Sequence, residues 1–408
     1  MNHYNKLLCV SLLSLGISTT LMADEYLTPT AIPIAQRTHV ASAPIVTPNP
    51  PTLSAESYIL IDVDSGKILA EKNSTAQMPP ASLTKMMTLY VISNALAKNQ
   101  IHLNDQVRVS EDAWRTGGSR MFIKVGDTVS VEDLLKGIIV HSGNDACVAM
   151  AEHVGSSESS FAEMMNEQAA RLGMGGSHFS ESTGLPDPNN YTTARDLAIL
   201  GSALIKDFPQ YYHWYKQKWF TYNGIRQPNR NRLLWRDSYV DGVKTGHTSE
   251  AGFCLVSSAI KDRMRLLAVV LHAPSDSARA EDSQKLINYG FRFFETHKVY
   301  HANQKVSSVK IFKGKQDTLN IGMLRDHYIT IPTGQYKKIK LITKVPNNLV
   351  APIHKGDKVG EFVVQLDQKD LQTHPIYALE NIEPAGIFGR LKDSIKLAVF
   401  NFINKHRS

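Results

Sequence analysis

The spacing of apolar positions changes character along this chain, and each change marks an element. Tyr58-Ile59-Leu60-Ile61-Asp62 and Lys67-Ile68-Leu69-Ala70 are short apolar runs separated by Asp64-Ser65-Gly66, which reads as two paired strands and a turn. After Met78-Pro79-Pro80-Ala81 the pattern becomes helical from Ser82 to about Ala97, with both prolines placed ahead of the helix that they would otherwise break. Val131 to Glu152 reads mainly as helix interrupted near His141-Ser142-Gly143, and Phe161 to Leu172 and Thr193 to Ile205 are also helical. From Asp241 the period shortens. Gly242-Val243-Lys244-Thr245, Gly252-Phe253-Cys254-Leu255-Val256 and Leu266-Leu267-Ala268-Val269-Val270-Leu271 predict three buried strands, before Ala280 to Phe294 returns to helix.

This order predicts an α+β domain over residues 53–296, an antiparallel sheet flanked by helices on both sides. Residues 297–383 differ. Val306 to Phe312, Tyr328 to Ile331, Lys337 to Thr343 and Glu361 to Leu366 are β-rich and separated by Gly, Pro and Asn, which predicts a small all-β domain. No catalytic constellation is visible in that segment.

The two ends carry their own signals. Lys6, the apolar stretch Leu7 to Leu15 and the small residue of Leu21-Met22-Ala23 predict a secretory signal peptide over residues 1–23. Residues 24–52 are rich in Pro, Thr and Ala and read as an extended linker. In the last segment, 384–408, Phe388, Leu391, Ile395, Val399 and Phe402 fall on one helical stripe, with Arg390, Asp393, Asn401 and Asn404 opposite. Leu397 and Phe400 interrupt the polar face, and basic residues dominate. Such a helix suits the plane of an anionic membrane surface; the alternative is docking on its own protein.

With 408 residues, 42% of them hydrophobic, the chain is long enough for two domains and a sizeable core. The net charge of +7 comes without a long basic run or a nucleic-acid motif, so no nucleic-acid partner is expected. Nothing in the chain asks for a metal or a cofactor. Of three cysteines, Cys9 leaves with the signal; Cys147 and Cys254 lie in apolar segments and are expected as buried thiols, a bridge being the alternative.

The chemistry rests on three short motifs in one order: Ser82-Leu83-Thr84-Lys85, Ser142-Gly143-Asn144 and Lys244-Thr245-Gly246. Ser-x-x-Lys alone says little, since it recurs at Ser258–Lys261 and Ser307–Lys310, whereas the ordered set is the signature of serine acyl-transferases that react with penicillin. A serine hydroxyl needs a base, and Lys85, three residues along a helix, shares its face. A lysine serves as base only if burial or a second cation lowers its pKa, and Lys244 is the candidate cation. Ser142 is placed to relay a proton, and Asn144 to hold Lys85 and a substrate amide. Thr245 and Lys244 are candidates for binding a terminal carboxylate, and Gly246 for close approach of a substrate backbone. The backbone N–H groups of Ser82 and His247 are the expected oxyanion donors. Singly, each motif has a structural reading: Ser82 as an N-cap, Lys85 as a solvated helix residue, Lys244-Thr245-Gly246 as a plain hairpin approach.

With these motifs, Trp114-Arg115-Thr116-Gly117-Gly118-Ser119, Asn229-Arg230-Asn231, Asp241 to Thr248 and Gly290-Phe291-Arg292-Phe293-Phe294-Glu295, the chain resembles the low-molecular-mass penicillin-binding proteins, specifically the D-alanyl-D-alanine carboxypeptidases of the type-5 group. The resemblance implies a transpeptidase-like domain, a β domain acting as a stalk and a monotopic anchor on the periplasmic face of the bacterial inner membrane. It implies removal of the terminal D-alanine from peptidoglycan pentapeptides through an acyl-serine, and acylation by β-lactams. By matching stretches, Arg279 looks like the family's arginine near the carboxylate site and Arg230 like the arginine of its Asn-Arg-Asn loop; either is alternatively a structural ion-pair partner. Glu250 and Arg232 depart from the expected pattern. A class A-like β-lactamase is a rival reading, but no Glu-x-x-Leu-Asn pattern lies between Ser142 and Lys244. A D,D-endopeptidase that cuts cross-links shares all three motifs and is the other rival.

Overall fold

The computed structural model describes residues 47–405, with side chains through Ala398. The expected signal peptide, Cys9, the linker up to residue 46 and the side chains of Val399, Phe400, Asn401, Phe402 and Asn404 lie outside the described residues.

The central sheet has five antiparallel strands: β1 (Ser57–Asp62), β2 (Ile68–Lys72), β3 (Val240–Thr248), β4 (Gly252–Lys261) and β5 (Met264–Ala273), in the order β2-β1-β5-β4-β3. Their apolar runs lack alternation because both faces are covered. Ile59 and Ile61 of β1 join one core while Tyr58 and Leu60 join another; Val256 and Leu255 of β4 divide the same way. Leu60 is paired with Ala70 on one side and Ala268 on the other, so the N-terminal hairpin completes a sheet whose remaining strands arrive some two hundred residues later.

Helices α1 (Lys85–Ala97), α2 (Val131–Lys136), α3 (Asn144–Gly155), α4 (Glu158–Leu172) and α5 (Ala194–Asp207) supply the larger core, and α6 (Asp276–Phe293) covers the opposite face with Leu286 and Ile287. Helix α1 is buried nearly all round, so it carries no amphipathic stripe. Thr193 and Ser275 cap α5 and α6 by accepting the N–H groups of Asp196 and Ala278 at 3.0 Å each, which sets where both helices begin.

The β-rich segment holds β6 (Phe294–Tyr300), β7 (Lys305–Phe312), β8 (Thr318–Gly322), β9 (His327–Pro332), β10 (Ile339–Lys344), β11 (Leu349–Val350), β12 (Lys358–Leu366) and β13 (Lys369–Ala378). β6 straddles the 296/297 boundary read from the sequence and pairs with β9. A polar joint ties this segment to the first hairpin: Ser65 Oγ lies 2.6 Å from Thr330 Oγ1, and Lys67 Nζ donates to the Thr330 carbonyl at 2.9 Å.

The described residues end in α7 (Ile387–Lys405). Ile387, Phe388, Leu391 and Ile395 are 75%, 90%, 62% and 62% exposed, whereas Asp393 turns inward and accepts the Lys313 N–H at 2.7 Å. Over the described side chains, the apolar stripe is therefore the open face. Among the described residues, no helix is long and apolar enough to cross a membrane.

Candidate active site

The three motifs meet beside the edge strand β3. Ser82 lies on a tight turn of 3-10 helix, Ala81–Thr84, that leads directly into α1, rather than inside a continuous α-helix. Lys85 is wholly buried, and its ammonium has three partners: Ser82 Oγ at 3.1 Å, Asn144 Oδ1 at 2.7 Å and the Thr183 carbonyl. All three N–H directions of the lysine are thereby assigned.

Ser142 interrupts the helical run between α2 and α3 with φ of +67°, a left-handed conformation uncommon for a residue with a Cβ. This turn, where the sequence pattern broke, aims the hydroxyl at β3: Lys244 Nζ donates to Ser142 Oγ at 2.9 Å and to the Thr245 carbonyl at 3.1 Å. Asn144, the first residue of α3, is locked from both ends of its amide, because Nδ2 donates to the Gly117 carbonyl at 2.7 Å while Oδ1 receives Lys85. Its contact with Lys85 matches the expectation; its N–H side serves the chain's own backbone.

Burial pushes the pKa of both lysines down. For Lys244 the charge of Lys85 acts in the same direction, followed by Arg230. For Lys85 the cation that reinforces burial is Arg230, with Glu181 and Asp145 opposing it. Cys147 is also buried here, its thiol pushed up to about 12 by desolvation. Cys147 and Cys254 are both free, as expected.

Thr245 is buried on β3, opposite Leu255, and His247 is exposed, stacked on Phe253 at 3.9 Å with Nδ1 at 3.0 Å from the Gly252 carbonyl. Gly246 has a role within the fold as well. A Cβ there would stand 2.9 Å from the Pro80 carbonyl oxygen and 3.2 Å from Leu83 Cγ, so the missing side chain lets β3 close on the turn carrying Ser82.

Arg279 reaches from α6 to the end of β3: Nη1 donates to the carbonyls of Gly246 at 2.9 Å and Cys254 at 3.2 Å. It thus ties β3 to β4 at the last residue of the Lys-Thr-Gly motif, and both readings made of it have support, a place beside the motif and an ion pair with Asp276. In the Asn229-Arg230-Asn231 loop the asparagines hold the backbone. Asn229 Oδ1 accepts the Asn231 N–H at 3.0 Å, and Asn231 Nδ2 donates to the Gly242 carbonyl at 3.0 Å. Arg230 is left exposed, and its charge bears on Lys85, Lys244 and His141.

The sequence reading gave no role to four supporting residues, Glu181, Thr183, Gly184 and Asp145. The Thr183 carbonyl reaches Lys85 from a loop folded around Glu181, which accepts the N–H groups of Thr183 at 2.7 Å and Gly184 at 2.5 Å. Gly184 has φ of +80°, and a Cβ there would overlap the Ala81 carbonyl oxygen at 1.9 Å. Asp145 accepts the Met121 and Phe122 N–H groups at 2.8 Å each, pinning the strip that carries Gly117 and Gly118 over Asn144. An acid directly after Ser-x-Asn was a usable signal for Asp145. A backbone carbonyl leaves no mark on residue type, so Thr183 had none.

Comparison with known proteins gives the family and the fold. The family model described as D-alanyl-D-alanine carboxypeptidase matches residues 45–275, and that of the penicillin-binding protein 5 C-terminal domain matches residues 294–384. The chain is 45% identical over 355 residues to the D-alanyl-D-alanine carboxypeptidase DacC of Escherichia coli, covering 85% of this chain and 89% of that protein. The crystal structure of penicillin binding protein 5 from Haemophilus influenzae superposes with a TM-score of 0.80 at 42% identity, over 82% of this chain and 99% of that one. Penicillin-binding protein D2 from Listeria monocytogenes, solved in its ampicillin-bound form, gives a TM-score of 0.55 at 30% identity, over 60% of this chain and 99% of its own.

Proposed function

This chain belongs to the D-alanyl-D-alanine carboxypeptidase family of serine peptidases, and from that membership we propose how its own residues carry the reaction. Ser82 is the nucleophile. The observation that carries this reading is the fully buried Lys85 Nζ, 3.1 Å from Ser82 Oγ. The Thr183 carbonyl and Asn144 Oδ1 only accept, so they fix two N–H bonds of Lys85. When burial has driven off the third proton, the lone pair faces Ser82, and Lys85 takes the serine proton as Oγ attacks the penultimate D-alanine carbonyl.

The tetrahedral oxyanion is received by the backbone N–H groups of Ser82 and His247. The C–N bond then breaks. Ser142 passes its hydroxyl proton to the departing nitrogen and takes one from the Lys244 ammonium that donates to it, and free D-alanine leaves behind an ester on Ser82. Water hydrolyses the ester: Lys85 returns its proton to Ser82 Oγ, the proton released from water recharges Lys244, and the shortened peptide leaves as a carboxylate. Lys244, Thr245, Arg279 and Arg230 give this end of the cleft its positive charge and its hydroxyl, and they bind the terminal carboxylate. A β-lactam enters the same path and stays at the acyl stage.

The substrate is the pentapeptide of peptidoglycan, met at the periplasmic face of the inner membrane. The exposed Ile387, Phe388, Leu391 and Ile395 support a peripheral anchor in the membrane surface, with the β domain as the stalk between anchor and catalytic domain 53–296.

Intact-mass and peptide-level mass spectrometry of the penicillin-treated protein tests the assignment. The adduct is expected on the peptide containing Ser82, and none on the Ser82→Ala variant. Equal labelling of the two proteins removes Ser82 from the mechanism.

A further inference from the structure

Arg232 belongs to none of the motifs, yet it is wired into the carboxylate end of the cleft. Its Nε lies 2.5 Å from Asp276 Oδ2, and Asp276 Oδ1 lies 2.5 Å from Arg279 Nη2. One carboxylate is thus clamped between two guanidinium groups, one from the turn after Asn231 and one from the first turn of α6. The backbone of that helix start is set by Ser275, and an acid in the first turn is favoured there by the helix dipole. On its other edge Arg279 grips the Gly246 and Cys254 carbonyls, and its guanidinium lies 5.6 Å from the centre of the Phe253 ring that carries His247.

Asp276 poses an electrostatic problem that Arg232 solves. A bare carboxylate against Arg279 fixes that side chain but also competes for it and repels an arriving anion. Arg232 occupies the second oxygen and cancels the charge, so Asp276 orients Arg279 without opposing the substrate. The same bridge fastens the Asn229-Arg230-Asn231 loop, already tied to Gly242 through Asn231, to α6.

We propose that Arg232, acting through Asp276, is a positioning residue that sets Arg279 for the substrate's terminal carboxylate. The proposal rests on the reading above that Arg279 faces that carboxylate.

The test uses the full chain and the variants Arg232→Ala, Arg232→Lys and Asp276→Asn. The first probe is a peptide ending in D-alanyl-D-alanine. The second is a peptide boronic acid, which reacts with a serine hydroxyl but has no carboxylate; its Ki is read by protection from penicillin labelling. Because Arg232 is 55% exposed, a moderate effect is expected from Arg232→Ala: KM for the D-alanyl-D-alanine peptide rises about 3- to 10-fold, with kcat within about twofold and the boronate Ki unchanged. Arg232→Lys recovers part of the KM. In the double variant with Asp276→Asn the penalty of Arg232→Ala shrinks, since the anion it neutralised is gone. An unchanged KM in Arg232→Ala overturns the proposal, and so does a boronate Ki that rises by the same factor as KM, because that marks general damage to the site. Labelling of Ser82 by penicillin in the same preparations separates the two levels. No label on the wild type defeats the functional reading itself, while normal label with unchanged KM defeats only the Arg232 bridge.

Discussion

Lys244 Nζ donates to Ser142 Oγ at 2.9 Å across 102 residues of sequence. The contact joins the edge strand to a left-handed turn between two helices, and it places a hydroxyl where a lysine proton can be handed on. Removing the ammonium by Lys244→Met leaves Ser142 without its donor and the cleft short of one cation. The acylation rate by penicillin is expected to fall about 100-fold or more, in the range typical of general acid–base groups. Stopped-flow acylation within threefold of wild type would remove Lys244 from the relay.

Gly246 sets the distance between strand β3 and the turn bearing Ser82. In Gly246→Ala the new methyl meets the Pro80 carbonyl at 2.9 Å, so strand or turn must shift. A loss of about 1–3 kcal/mol of stability is expected, as for other overpacked interiors, together with acylation slowed about 10-fold or more by misplacement of Ser82. Urea unfolding and penicillin acylation measured on the same variant check both. Unchanged acylation shows that the spacing is not critical.

Acid stability follows from His141. Burial, with Arg230 and Lys244 nearby, pushes its pKa down from 6.5 to about 4, and Nδ1 is buried without a hydrogen-bond partner. The folded protein then binds fewer protons than the unfolded chain between these values. The stabilisation is complete above pH 6.5 and is lost as pH falls through 6.5 towards 4. His327, also lowered to about 4 by burial, adds a slope of the same sign. His141→Gln is expected to flatten part of this dependence in unfolding measurements at pH 7 and pH 5, and an identical slope in the variant refutes the assignment.

For the terminal helix, truncation after Pro384 removes the exposed Ile387, Phe388, Leu391 and Ile395 along with the Asp393 contact to Lys313. The shortened protein is expected to stay in the supernatant after centrifugation with anionic vesicles and to retain penicillin labelling, while the full chain pellets. A truncated protein that still sediments with the vesicles shows that the anchor lies elsewhere.

Much of this was legible in the residues. The five strands of the central sheet were found because each is an apolar run bounded by turn formers, and the break at His141-Ser142-Gly143 proved to be the left-handed turn. The strand Phe294–Tyr300 at the entry to the β domain was missed, and within that domain so were the strands Thr318–Gly322 and Lys369–Ala378. The last alternates polar and half-buried positions and includes Pro375, so its pattern is weak. The two-residue strand Leu349–Val350 is shorter than any periodicity can register.

The sequence by itself determined which side chains are available for chemistry and in what order, because a nucleophile, its base and their helpers are matters of residue type and local spacing. It also determined the strands and helices that carry them, through the period of burial. Tertiary structure alone decided which partners those side chains meet: Lys85 with the Thr183 carbonyl, Gly246 with Pro80, Arg232 with Asp276. These are contacts between backbone atoms or distant charges, and no local pattern records them, since hydrogen bonds and Coulomb forces depend on distance in space rather than on separation along the chain.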